Sequence, residues 1–90
     1  MNYEWDEEKR RSNIAKHGLD FEEVEFGFDW EMARYIDDPY PSERRVQAIG
    51  YLFNSVVVLV YTMRANTCRL ISLRPAEPRE RRAYEQTVEY

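Results

Sequence analysis

The sequence predicts an α+β domain: two N-terminal helices, an antiparallel sheet of three or four strands, and a C-terminal helix. Three observations carry this. Helix start and stop signals crowd the first forty residues. From Arg44 onward the apolar pattern changes from helical spacing to strand-like runs. After Pro75 a charged stretch opens on Pro78, as a final helix would.

Taken in order, Tyr3, Glu4 and Trp5 read as a short edge strand with Trp5 inward. Asp6 suits the N-cap of a helix running to about His17, which Gly18 ends. Ile14 and Ala15 are almost its only apolar residues, so its other faces are wet or look onto a polar site. The next start signal is complete. Asp20 stands at the N-cap, Glu23 at N3, Leu19 at N′ and Val24 at N4, giving a capping box with a hydrophobic staple. Phe21, Val24 and Phe28 follow at helical spacing, until Asp37, Asp38, Pro39 and Pro41 break the pattern. Residues 45–53 read as a strand, with Asn54 and Ser55 as its turn. Residues 56–63 are β-branched and continuously apolar, which predicts a central strand covered on both faces. Ala65 and Asn66 turn the chain into a third strand, residues 67–74. The last helix, from Pro78 to about Val88, turns Ala83, Tyr84 and Val88 inward.

Ninety residues make one thin-cored domain, spanning 1–90. The longest apolar run is far short of the ~20 residues of a membrane span, so no membrane is expected. The N-terminus lacks the basic-then-apolar pattern of a signal peptide. Cys68 is alone and has no internal disulfide partner, which fits a reducing cytoplasm. One histidine and one cysteine argue against a structural zinc site, and neither metal nor other cofactor is expected. The three glycines, at 18, 27 and 50, form no phosphate loop.

A net charge of −4 argues, by itself, against a nucleic-acid-coating protein. The average hides an asymmetry: residues 1–43 carry a net −8, and residues 44–90 a net +4. Arginine also outnumbers lysine eleven to two, and its planar fork suits phosphate or carboxylate recognition. GC-rich codon usage explains such a bias equally well.

Three groups of residues bear chemistry. Lys9, Asn13 and Lys16 share one face of the first helix, with His17 at its edge. They suit phosphate binding or proton transfer, or Lys16 and His17 simply complement the helix dipole. Arg64, Arg69 and Arg74 leave an apolar sheet. Which of them share a face depends on hairpin register: an even loop unites Arg64 with Arg69, and an odd loop or a bulge reverses this. Glu80 and Tyr84 lie four apart on the last helix, where Tyr84 reads first as a core residue with its hydroxyl at the rim.

The spacing of Trp5, Asp6, Lys9, Asn13, Lys16, His17 and Gly18, followed by Phe21, Glu22 and Glu23, resembles the opening signature of the BrnT toxin family. Arg69, Leu70, Ile71, Ser72, Leu73, Arg74 and Ala76, with Glu80 and Tyr84 beyond, resemble its closing signature. Arg45 to Gly50 and Arg64 fit between them. Leu73 departs from the usual small alanine, and Pro75 stands at a position often basic.

The resemblance implies a RelE-like fold and a cytoplasmic, prokaryotic type II toxin that cleaves RNA without metal and arrests translation. It also implies a BrnA-like ribbon-helix-helix antitoxin that forms a hetero-oligomer with the toxin. Operator DNA would be met only through that antitoxin, in a complex that represses its own operon. Arg64 and Arg74 are then expected to stabilise charge on the reacting phosphate, with Arg45 or Arg69 gripping flanking phosphates and Lys9 and Lys16 also binding RNA. For proton transfer the order of preference is His17, Glu80, Tyr84, Lys16, because histidine needs least tuning near neutrality. The alternative is an antitoxin-binding module of weak or no catalysis, acting mainly in operon autoregulation.

Overall fold

The computed structural model describes residues 1–88, and side chains through Thr87. Val88, expected inward, therefore lies outside the described side chains. The chain folds as α+β in the order β1 (Asn2–Glu4), α1 (Glu7–His17), a 3-10 turn (Phe21–Glu23) running into α2 (Val24–Gly27), β2 (Arg34–Asp38), β3 (Arg45–Leu52), β4 (Ser55–Arg64), β5 (Thr67–Pro75) and α3 (Pro78–Val88). The five strands form one sheet in the order β1-β5-β4-β3-β2.

The sheet is larger than the three or four strands expected, and it is mixed. β2 to β5 are antiparallel, whereas β1 lies parallel to β5 and pairs Asn2, Tyr3 and Glu4 with Thr67, Cys68 and Arg69. β2 is the strand that the sequence conceals. Asp37 and Asp38, read as a break in the helical pattern, pair with Val46 and Arg45. An edge strand draws its stability from backbone pairing on one side and tolerates charge on the other. The turn between β3 and β4 is also displaced by one residue from the expected Asn54-Ser55. It is Phe53-Asn54, with Phe53 at φ +54° and its N–H donated to the Gly27 carbonyl at 2.9 Å.

The caps form where the sequence puts them. Asp6 accepts from the Glu8 N–H, and Gly18 closes α1 at φ +70°, donating to the Ile14 carbonyl at 2.7 Å. No residue of α1 is buried, in keeping with its sparse apolar content. Asp20 caps the second segment by accepting from the Glu22 N–H. That segment is shorter than its spacing implies: a 3-10 turn and one α-turn, after which Phe28 is extended and bridges to Leu52.

The core lies between one sheet face and the segment from Phe21 to Ala33. Phe21, Val24, Phe28 and Ala33 pack there on Ala48, Leu52, Val57, Leu59, Cys68, Leu70 and Leu73. Gly50 allows this close approach, since a Cβ there would meet the Ala33 Cβ at 3.1 Å. β4 is central, and Val56, Val57, Val58 and Leu59 are buried on both its faces as predicted. Burial pushes the Cys68 thiol up to about 11, which keeps it protonated and unreactive.

Candidate active site

The opposite sheet face carries the arginines. β4 and β5 are joined by the two-residue turn Ala65-Asn66, so Arg64 pairs with Thr67 and Thr62 with Arg69. Because β-strand side chains alternate, Arg64 and Arg69 share a face. The register then shifts: Val60 pairs with Ser72 but Tyr61 with Leu70, leaving Ile71 as the extra residue of a β-bulge. Strict alternation would put Arg74, five residues beyond Arg69, on the core side. The bulge returns it, and Arg74 pairs with Val58 on the same face as the other two. All three arginines therefore meet one surface, an arrangement that combines the even loop with a bulge.

Arg45 joins this surface from β3, and Glu4 from β1. Arg45 Nε donates to Glu43 at 3.0 Å, and its guanidinium lies 3.7 Å from the centre of the Tyr40 ring. Arg64 is bracketed by Glu43 at 3.3 Å and Glu4 at 3.9 Å. Arg69 reaches Glu4 at 3.1 Å. The Arg45 and Arg64 guanidinia hold the Glu43 carboxyl below the usual carboxylate range.

At the other end of this surface, Arg74 meets α1. Lys9, Ser12, Asn13, Lys16 and His17 line a cleft of about 210 Å³ with residues 71–74 of β5. Asn13 seats the helix there. Its side-chain amide donates to the Leu19 carbonyl at 3.0 Å, and its carbonyl oxygen accepts the Leu73 N–H at 3.3 Å. The predicted polar face is thus divided: Asn13 builds the cleft, while Lys9, Lys16 and His17 line it. Leu73 is fully buried on the core side, so its departure from alanine changes the packing beneath the cleft instead of its rim.

Arg74 donates both terminal nitrogens to Glu80, at 2.8 and 2.9 Å. Glu80 also accepts the Glu77 N–H at 2.8 Å, which fixes the start of α3. The Arg74 guanidinium and this backbone donor outweigh desolvation and bring the Glu80 carboxyl down to about 2. So low a value makes Glu80 a poor proton acceptor at neutrality and a good anchor for Arg74. Tyr84 is committed elsewhere. It is 3% exposed, stacks edge-on with Tyr51 and donates its hydroxyl to the Met32 carbonyl at 3.1 Å, matching its reading as a core residue. Of the four proton-transfer candidates, His17 and Lys16 are those that line the cleft.

Two features escape spacing rules. Arg10 joins α1 to the following segment through Asp20 at 2.8 Å, Glu22 at 3.0 Å and Glu7 at 2.7 Å. Glu4 and Glu43 come to Arg64 from segments far from it in sequence. Among the described residues, no three His, Cys, Asp or Glu side chains are grouped to hold a metal ion. No described helix is long and apolar enough to cross a membrane.

The depressed Glu80 pKa has a consequence for stability. A carboxyl held below its ordinary 4.5 binds fewer protons when folded, so its contribution is complete above that value and fades as pH falls toward 2. Thermal melts between pH 6 and 2 are therefore expected to bring wild type and Glu80→Gln together at the acid end. A stability difference independent of pH would contradict the Arg74 pairing.

A family profile described as "Ribonuclease toxin, BrnT, of type II toxin-antitoxin system" matches residues 5–80. The chain belongs to the BrnT family. The match begins at Trp5, takes in α1 and the whole sheet from β2 to β5, and ends at Glu80, so both walls of the cleft fall inside it. A BrnT chain is a ribonuclease toxin of a type II system, which implies an antitoxin partner. No curated protein matches the chain significantly.

Proposed function

We propose that this BrnT toxin is a metal-independent endoribonuclease whose arginine-bearing sheet face holds RNA and whose α1–β5 cleft carries the chemistry. The supporting observation is the bulge at Ile71, which puts Arg64, Arg69 and Arg74 on one surface. In the proposed reaction a ribose 2′-oxygen attacks the adjacent phosphorus while its proton passes to a base. The bond to the 5′-oxygen breaks, that oxygen takes a proton, and a 2′,3′-cyclic phosphate remains. Negative charge gathers on the non-bridging oxygens, where guanidinium forks act best. Arg74 and Arg64 take that role, and Arg45 and Arg69 hold flanking phosphates. His17 is the preferred proton-transfer group, with Lys16 and Lys9 supplying positive charge along α1. Glu80 becomes a positioning residue that orients Arg74, and Tyr84 a core residue.

In the cell, this activity would arrest translation. A BrnA-like ribbon-helix-helix antitoxin would silence it in a hetero-oligomer that contacts operator DNA through the antitoxin and represses the operon. A second reading, an antitoxin-binding module without catalysis, draws on the bidentate capture of Arg74 by Glu80.

One experiment separates them. Purified protein is incubated with single-stranded RNA in excess chelator, with and without ribosomes, and product ends are analysed. Cyclic-phosphate ends, lost in the Arg64→Ala/Arg74→Ala protein, are expected. Unchanged RNA in both settings would favour the binding module, and dependence on added metal would overturn the proposed chemistry.

A further inference from the structure

A phosphate that approaches Arg64 meets two carboxylates already beside its guanidinium, Glu43 at 3.3 Å and Glu4 at 3.9 Å. Three arginines and two glutamates form an alternating chain across the sheet face: Arg45, Glu43, Arg64, Glu4 and Arg69, with separations of 3.0, 3.3, 3.9 and 3.1 Å. These five side chains sum to only +1, where the three arginines alone would carry +3. The two carboxylates also come from segments outside the strands that bear Arg64 and Arg69. Glu4 ends β1, and Glu43 lies between β2 and β3. Arg64 is 55% and Glu4 40% exposed, so solvent and ligands reach the pair freely. Exposed pairs of this kind are weak, and an incoming anion displaces them readily.

We infer that Glu4 and Glu43 are built-in competitors of the RNA backbone, which set how tightly the arginine face binds it. They occupy guanidinium donors in the free protein and repel an approaching phosphate. Binding is then favourable only where several phosphates arrive together, as they do along a strand. A lone phosphate gains too little to replace both carboxylates. The inference rests on the proposed RNA-binding role of this face and adds the groups that limit its affinity.

The test measures binding of a 2′-O-methyl RNA oligonucleotide, which lacks the attacking hydroxyl and stays intact. Glu4→Gln/Glu43→Gln is compared with wild type and with Glu25→Gln/Glu31→Gln. The latter changes net charge equally but on exposed residues of the segment spanning 21–33, which covers the core face. The first variant is expected to bind about three- to tenfold more tightly at low salt, with the gain shrinking as salt rises. The control should gain much less. Circular dichroism melts establish that each protein is folded, and the single variants Glu4→Gln and Glu43→Gln stand in if the double variant is not. Equal gains in both double variants would reduce the effect to net charge and overturn the inference. Unchanged or weaker binding by the Glu4/Glu43 variants would overturn it too, while leaving RNA cleavage by wild type intact. Absence of binding and of cleavage in wild type would overturn the RNA-directed function itself.

Discussion

Arg74→Ala is expected to lower RNA cleavage by about 10²- to 10³-fold while leaving the protein folded. Arg74 is the one arginine that both lies on the shared sheet face and lines the α1 cleft beside Lys16 and His17. Two bonds to Glu80 and one to the Pro75 carbonyl fix its orientation, so a phosphate would meet the Nε edge of the guanidinium as a fixed donor instead of a mobile charge. Oriented donors of this kind act on charge that develops in the transition state, which is why the loss belongs in kcat more than in KM. Arg74→Lys keeps the charge but not the fork, and is expected to fall between. Arg11→Ala serves as a control, since Arg11 is 76% exposed on α1, pairs only weakly with Glu7 and lies outside the cleft lining. Single-turnover cleavage rates measure the series. Equal rates for wild type and Arg74→Ala would remove Arg74 from the chemistry.

Phe21→Ala is expected to destabilise the fold by about 3–5 kcal/mol. Phe21 is 1% exposed and packs edge-on against Trp5. It follows the Asp20 cap directly, so the local start signal and the core are joined at this residue. A domain of this size has a total stability of about 5–15 kcal/mol, and such a loss lowers the melting temperature on the order of 15–30 °C. Phe26, five residues on and 81% exposed, provides the comparison: Phe26→Ala should fall within about 0.5 kcal/mol of wild type. Thermal melts followed by circular dichroism decide it. Similar losses in the two variants would mean that the core is not where Phe21 lies.

Much of the fold was legible because its signals are local. Asp6 and Gly18 delimit α1 through backbone caps, and the apolar residues 56–63 form the strand at the centre of the sheet. β2 was hidden because an edge strand needs neither alternation nor burial, and Asp37-Asp38-Pro39 carries the residue types of a turn. The parallel pairing of β1 depends on where α1 returns the chain, which no residue of β1 encodes. The site was legible in its residue types and not in its geometry. Arginine spacing leaves the shared face open, and a single extra residue at Ile71 settles it. Glu43 lies only two residues from Arg45, but the carboxylates beside Arg64 and Arg69 arrive through tertiary contacts, beyond the reach of any periodicity.

The cleft and the arginine face make one claim together: cellular toxicity runs through Arg64 and Arg74. Growth after induction of wild type and of Arg64→Ala/Arg74→Ala, at equal levels of folded protein, tests it most directly. Wild type is expected to halt growth, and the double variant to grow as an uninduced culture does. Growth arrest by the double variant as complete as that of wild type would contradict the assignment.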